Sequence, residues 1–138
     1  MHAVTSLMRA QQIIQGRLDA LLKPHGLTFA RYEALVLLTF SSRGSLPLGK
    51  MGERLQVHPT SVTSTVRRLE TDGLVERRAS PSDGRAVLAS ITPRGRALVA
   101  AATAELVDAD FGLDPLSKDE LASLSDLLRP VRRDAGDF

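Results

Sequence analysis

Hydroxyl and guanidinium side chains are concentrated between residues 59 and 71, a segment that reads PTSVTSTVRRLET. If this segment is a helix, its turn of about 100° per residue places Val62, Val66 and Leu69 on one face. The other faces carry short hydroxyl groups, which approach base edges and phosphates closely, and arginine, which can form two hydrogen bonds with guanine. The candidate DNA-contacting residues of this helix are Pro59, Thr60, Ser61, Thr63, Ser64, Arg67 and Arg68.

The composition of residues 59–71 is unusual for a helix that only faces solvent. Serine, threonine and valine are weak helix formers, and a solvated helix more commonly contains glutamate, lysine and alanine. The segment therefore favours nucleic-acid binding. The alternative is a surface helix whose hydroxyl groups have no binding role.

Three arginines flank a run of turn-forming residues at 79–84. Because Asp83 precedes Arg85 by two residues, we expect its carboxylate to accept a hydrogen bond from that guanidinium and to hold it in one direction. An arginine oriented in this way can enter a minor groove, where narrow A·T-rich segments concentrate negative potential. The alternative is a local ion pair that only stabilises the turn. The candidate DNA contacts of this region are Arg77, Arg78, Asp83 and Arg85.

The residue types that most other chemistries need are missing or scattered. The chain has no cysteine, which excludes disulfides, thiolate nucleophiles and zinc–cysteine sites. His2, His25 and His58 are too far apart in sequence to form a metal-binding motif. No nucleophile elbow, phosphate-binding loop or zinc-protease motif is present. We therefore expect no enzymatic activity, no cofactor and no bound metal.

Apolar periodicity predicts three helices before the hydroxyl-rich segment. The first runs from about Val4 to Lys23 and ends at Pro24-His25-Gly26, because proline cannot continue the backbone hydrogen bonding. Thr28 is suited to cap a second helix that extends to about Phe40. A short third helix is predicted over residues 48–55.

A turn and a β-hairpin lie on either side of the fourth helix. Residues 56–58 form the turn, and Pro59 is suited to the first position of the helix, where its missing N–H costs nothing. Two strands, Leu74 to Arg78 and Arg85 to Ile91, follow the helix. Within the second strand, Val87, Ala89 and Ile91 alternate as an inward face would.

Two further helices complete the chain. Thr92 and Pro93 begin a long helix that extends to about Asp110, and Ser117 with Glu120 forms a capping box for the last helix. The predicted fold is mainly α with a small β-hairpin wing, a winged helix-turn-helix with six helices. In this fold the second helix of the helix-turn-helix lies in the major groove and the hairpin contacts the flanking backbone.

The net charge of +2 is unevenly distributed. Residues 50–96 contain 9 lysines and arginines against 5 aspartates and glutamates, whereas residues 97–138 contain 4 against 9. The basic middle segment indicates that one face of the protein meets a polyanion. With 43% apolar and 25% charged residues, no segment long enough to span a bilayer and no signal pattern, we expect a cytoplasmic globular protein without a membrane partner.

Three segments resemble the MarR family of bacterial transcription regulators, and the resemblance extends over essentially the whole chain. Residues 27–32 resemble the start of that family's second helix, and residues 61–75 resemble its recognition helix and the entry to its wing. Residues 83–95, which read DGRAVLASITPRG, resemble its wing signature and are the most specific of the three.

The resemblance implies an obligate homodimer with one domain over residues 1–138. Residues 1–26 and 112–138, with part of 93–111, are then dimerisation helices, and residues 27–92 are the winged helix-turn-helix core. A two-fold dimer places its recognition helices about 34–36 Å apart, which predicts a pseudo-palindromic operator in double-stranded DNA. The expected function is a sequence-specific repressor that a small molecule releases from its operator.

The resemblance also implies a ligand pocket between the dimerisation and DNA-binding parts, for a small aromatic or carboxylate effector. The candidate pocket residues are Arg9, Arg17, His25, Phe29, Arg31 and Tyr32. For each of them a surface or core role is the alternative. Two other functions remain open: a winged-helix protein–protein interaction module without DNA binding, and a small hydrolase or transferase.

Overall fold

The computed structural model describes residues 1–137. Six α-helices lie in this range: α1 His2–Leu22, α2 Phe29–Phe40, α3 Leu48–Leu55, α4 Pro59–Thr71, α5 Pro93–Asp108 and α6 Lys118–Asp134. Three strands form one antiparallel sheet: β1 Ser45–Pro47, β2 Val75–Ala79 and β3 Val87–Ile91. Residue 138, the last position of the expected dimerisation segment 112–138, lies outside the described residues. The predicted winged helix-turn-helix fold is confirmed.

The predicted helix caps are present. The Thr28 hydroxyl accepts a hydrogen bond from the backbone N–H of Arg31 at 3.4 Å, and the Thr92 hydroxyl accepts one from Gly95 at 3.0 Å. At the start of α6, Ser117 and Glu120 form the complete capping box. Local hydrogen bonding of this kind fixes where a helix begins, so the sequence alone predicts these helix starts.

The sheet contains one strand that the sequence did not predict. β1 pairs with β3, so the strand order is β1-β3-β2, with Leu46 opposite Ala89. The hydroxyls of Ser45 and Ser90 lie 2.7 Å apart across this pair. With only three residues, one of them proline, β1 shows no alternating pattern, and it is formed by pairing with a distant segment rather than by local preference.

Two predictions for the hairpin are wrong. Arg85 does not begin β3, because residues 84 and 85 are still in the turn and the strand starts at Val87. Val87 does not face inward but is exposed, whereas Ala89 is buried and Ile91 is half-buried. The outer end of the hairpin extends beyond the helices, so an apolar side chain there finds no core to enter.

The hydrophobic core is centred on α2. Its Leu35 and Leu38 are fully buried and belong to the same cluster as Leu22, Met51 and Leu69, which come from α1, α3 and α4. α5 adds Val99, Ala102 and Leu106 to this cluster. α6 contributes no buried residue. No helix within residues 1–137 is both long enough and apolar enough to cross a membrane.

Candidate nucleic-acid interface

The turn between α3 and α4 sets the direction of α4. Gln56 adopts a left-handed backbone conformation at φ 52°, and the N–H of Val57 donates to the carbonyl of Gly52 at 3.2 Å. A Cβ added at Gly52 would lie 3.4 Å from the Val57 carbonyl oxygen, so the chain passes close to α3 at this point. His58 caps α4, since its Nδ1 accepts a hydrogen bond from the Thr60 N–H at 3.1 Å.

α4 has the two faces that its sequence predicts. Val62, Val66 and Leu69 are buried in the core. The seven predicted contact residues lie at the surface. Thr63 is half-buried. The other six are exposed: Pro59, Thr60, Ser61, Ser64, Arg67 and Arg68. The structure therefore brings the seven residues together on one helix, which is fixed to the core by its apolar face.

The hydroxyl groups of this surface differ in what they already bind. Thr63 donates to the Pro59 carbonyl at 3.0 Å, so its hydroxyl is engaged within the helix. The hydroxyls of Thr60, Ser61 and Ser64 have no hydrogen bond to any of the residues that the structure describes. These three groups are available to an outside partner.

The two arginines of α4 differ in the same way. Arg68 forms an ion pair with Asp72, with Nε 3.3 Å from Oδ2. Arg67 has no ion pair with any acidic residue between positions 1 and 137 and lines a shallow groove with Pro59, Thr60, Thr63 and Ser64. Of the two, Arg67 is the guanidinium that a ligand can contact without first breaking an existing pair.

The arginines of the wing do not form one cluster. Arg77 donates from Nε to Glu70 Oε2 at 2.7 Å, which ties β2 to α4, and Arg78 pairs with Glu76 on its own strand. Arg85 is exposed in the turn, and its guanidinium has no ion pair within the described part of the chain. Arg77 thus positions the wing, while Arg85 remains unpaired.

The expected hydrogen bond from Asp83 to the Arg85 guanidinium is absent from the structure. Asp83 Oδ1 instead accepts the backbone N–H of Arg85 at 3.0 Å, and the Asp83 carbonyl accepts the N–H of Ala86 at 3.0 Å. An aspartate commonly bonds to the backbone two residues on, and this local contact costs less side-chain entropy than fixing an arginine. Asp83 therefore orders the turn rather than aiming the guanidinium.

Two residues of the site were missed by sequence reasoning. Glu70 lies at the end of α4 and Arg77 lies on β2, so no periodicity within one element pointed to this pair. Lys50 of α3 lines a groove with Ser82, Asp83 and Arg85 of the wing, and its ammonium lies 2.8 Å from Glu53 Oε2. Lys50 was detectable only as part of the basic excess of residues 50–96.

The six candidate effector-binding residues have separate contacts. Phe29 and Tyr32 stack with ring centroids 6.0 Å apart, and the Tyr32 hydroxyl lies 2.9 Å from that of Thr103. His25 Nε2 lies 2.6 Å from Glu105 Oε2. Arg17 donates to the Gly112 carbonyl at 2.8 Å, Arg31 donates to the Gly26 carbonyl at 3.1 Å, and Arg9 is exposed on the first half of α1. A shared pocket for these six stays a prediction.

Comparisons with known proteins agree with this geometry. The model of the MarR family matches residues 30–87. The HTH-type transcriptional repressor Rv2887 of Mycobacterium tuberculosis is 35% identical over 104 residues, which cover 75% of this chain and 73% of that protein. The MarR family transcriptional regulator Sco5413 of Streptomyces coelicolor is 58% identical, with a TM-score of 0.95 over 100% of this chain and 96% of that one.

A third relative has been solved together with DNA. It is the MarR family transcriptional regulator Sco3205 of Streptomyces coelicolor, which is 26% identical to this chain, with a TM-score of 0.87 over 96% of this chain and 84% of that one. Sequence identity and fold thus agree over nearly the whole length. The chain belongs to the MarR family of transcription regulators.

Proposed function

We propose that this regulator binds double-stranded operator DNA as a homodimer, with α4 in the major groove and Arg85 of the wing beside it, and represses transcription until a small molecule releases it. The observation that carries the proposal is the division of α4 into a buried apolar face and an exposed face. On the exposed face, the side chains of Thr60, Ser64 and Arg67 have no hydrogen-bond or ion-pair partner within residues 1–137. Unsatisfied donors on a rigid helix are the groups that read base edges and phosphates.

The charges around α4 support the same role. Arg67, Arg85 and Lys50 lie on the helix-turn-helix and wing, within the basic segment of the chain. The relative Sco3205, whose fold is closely similar, has been crystallised with DNA. A protein that neutralises several phosphates releases condensed counterions, so its affinity falls steeply as salt is added.

The terminal helices support the homodimer. α6 has no buried residue, although Leu127 and Val131 expose 76% and 67% of their surface. On α1, Val4, Leu7 and Ile13 are also exposed. Several large apolar side chains exposed on the same helices favour association with a second subunit. In the proposed assembly, residues 1–26 and 112–138, with part of 93–111, form the dimer contacts and residues 27–92 bind DNA.

Selection from a pool of random DNA duplexes tests the proposal. We expect an enriched sequence with two-fold symmetry and half-sites about one helical turn apart. Fluorescence anisotropy on that duplex should show log Kd rising linearly with log salt, at about 0.9 per phosphate contact. If no sequence is enriched, or if binding does not change between about 50 and 200 mM salt, the proposal is wrong and the protein-interaction alternative gains support.

A further inference from the structure

A small apolar cavity lies behind α4, on the side opposite Thr60, Ser64 and Arg67. It has a volume of about 70 Å³, lies between α2, α3 and α4, and is partly open to solvent. Its walls are largely aliphatic and include Ala34, Met51, Leu55, Val57 and Val62. Since an apolar cavity of about 150 Å³ accommodates benzene, this one has room for a short aliphatic chain rather than for an aromatic ring.

The only ionisable side chain that lines this cavity is Glu33 of α2. Partial burial raises the pKa of its carboxyl above the ordinary value, although Glu33 as a whole is an exposed residue at the rim of the cavity. Glu33 has no hydrogen bond and no ion pair to the side chains of residues 1–137. A carboxylate that is partly removed from water without a partner is unfavourable, and a cation beside it would relieve this cost.

We propose that this cavity binds small organic ammonium ions, with a slim aliphatic tail inside it and the ammonium group hydrogen-bonded to Glu33. The tail replaces empty space with van der Waals contacts, and the ammonium provides the counter-charge that the carboxylate lacks. The carboxylate disfavours anions of the same size. The preferred ligand is therefore opposite in charge to the carboxylate effector that the sequence predicts near Arg9, Arg17 and Arg31.

The cavity borders the proposed recognition helix directly. Ser61, Val62, Thr65 and Val66 of α4 form one of its walls, and Ala30 lies on α2 across from them. A ligand in this place contacts the inner side of the helix whose outer side is proposed to face DNA. The binding inference stands on the cavity and Glu33 alone, so it does not depend on the proposed function.

Titration of the intact protein with n-butylammonium, followed by amide chemical shifts, tests the site. We expect saturable shifts confined to the segments around residues 30–34, 51–57 and 61–66, which line the cavity, with a Kd of about 1 mM, as befits a ligand of five heavy atoms. n-Butanol and butyrate are matched in length but neutral and anionic. Both should bind at least about tenfold more weakly, which corresponds to loss of one charge-assisted hydrogen bond.

Two variants test separately what the charge of Glu33 and the space in the cavity contribute to binding. Glu33→Gln should weaken n-butylammonium about tenfold and leave n-butanol unchanged, because only the charge is removed. Ala30→Leu, at an exposed position on the lining, should abolish binding of both by occupying the space. Equal affinity for the ammonium and the alcohol, insensitivity to Glu33→Gln, or shifts only in other segments would overturn the proposal. Since no DNA is present, its failure is distinguishable from failure of the proposed function.

Discussion

The winged core of residues 27–92 and the two terminal helices differ in how far they bury their apolar residues. The core buries Leu35, Leu38, Met51 and Leu69 within one chain. In contrast, α6 buries nothing, and α1 has no buried residue before Leu18. The apolar residues of the core are buried by the subunit itself, whereas many of those on the terminal helices stay exposed in one subunit. This difference agrees with the proposed homodimer, in which the core binds DNA and the terminal helices hold the subunits together.

The middle and the C-terminal segments of the chain also differ in net charge. The segment of residues 50–96 is basic, with 9 cationic against 5 anionic side chains, and the segment of residues 97–138 is acidic, with 4 against 9. The surface proposed to face phosphates therefore lies in the basic region, and the C-terminal part of the proposed dimer contacts is acidic. The N-terminal part is not, since residues 1–26 contain 3 lysines and arginines against 1 aspartate. Only the acidic C-terminal segment is thus kept from competing for DNA by its charge.

The largest expected effect comes from placing charges on the apolar surface of α6. The double substitution Leu127→Glu and Val131→Glu should convert the dimer to a monomer in light scattering, because four carboxylates would be buried at a two-fold interface. Operator affinity should fall at least about 100-fold, since one half-site is then bound instead of two. Helix content should be kept, because neither residue belongs to the core.

Ser125→Glu is the matched control for that experiment. Ser125 is exposed on the opposite side of α6, so a carboxylate there, one per subunit instead of two, should leave both the dimer and the operator affinity unchanged. A double variant that remains dimeric would show that α6 is not part of the interface.

Arg85→Ala is expected to have the next largest effect. The substitution should weaken operator binding at least about tenfold and lower the salt slope by about 2, since each of the two subunits loses one cation–phosphate or minor-groove contact. Light scattering should still show a dimer. Arg129→Ala removes the same charge from α6, where Arg129 pairs with Asp126, and should change neither quantity. Unchanged binding by Arg85→Ala would remove the wing tip from the interface.

A smaller effect is expected from Glu70→Gln, which loosens the tie between α4 and β2 without touching DNA. The pair with Arg77 is partly exposed, so its loss costs at most about 1 kcal/mol, or about fivefold in operator affinity. The sequence preference should be unchanged if Arg77, which was predicted as a DNA contact, serves mainly to position the wing through its pair with Glu70. A changed preference in the selected DNA would contradict this assignment.

The smallest effect concerns the capping box of α6. Two hydrogen bonds from Ser117, the first from its backbone and the second from its side chain, lower the pKa of the Glu120 carboxyl. Ser117→Ala should raise this pKa, as measured by NMR titration. A depressed carboxyl pKa stabilises the folded state above the unfolded pKa, and this contribution disappears as the pH falls through the folded value. The variant should therefore show a shallower loss of Tm on acidification than the wild type.

Elements held by local interactions were predictable from the sequence. α4 followed from Pro59 and from the spacing of Val62, Val66 and Leu69, and the start of α6 followed from Ser117 and Glu120. These features depend on residues within one or two turns of each other, so the local sequence contains the information.

Features that depend on distant residues were not predictable. β1 exists because Leu46 pairs with Ala89, and Arg77 is held by Glu70, neither of which has a local signature. The predicted partner of Asp83 was wrong. Its carboxylate can reach either the guanidinium or the backbone N–H of Arg85, and the turn already holds the backbone N–H in position. The cavity beside Glu33 arises where three helices meet, which no single segment specifies.

The central claim is that the exposed face of α4 reads bases directly, and repeating the random-duplex selection with Arg67→Ala tests it most directly. Arg67 has no ion pair in residues 1–137, so its loss should not disturb the fold. We expect the preference at one position of each half-site to relax, at a cost of about 1–3 kcal/mol for the wild-type base, while the other positions stay the same. Enrichment of the same sequence by both proteins, with equal stringency at every position, would contradict the account.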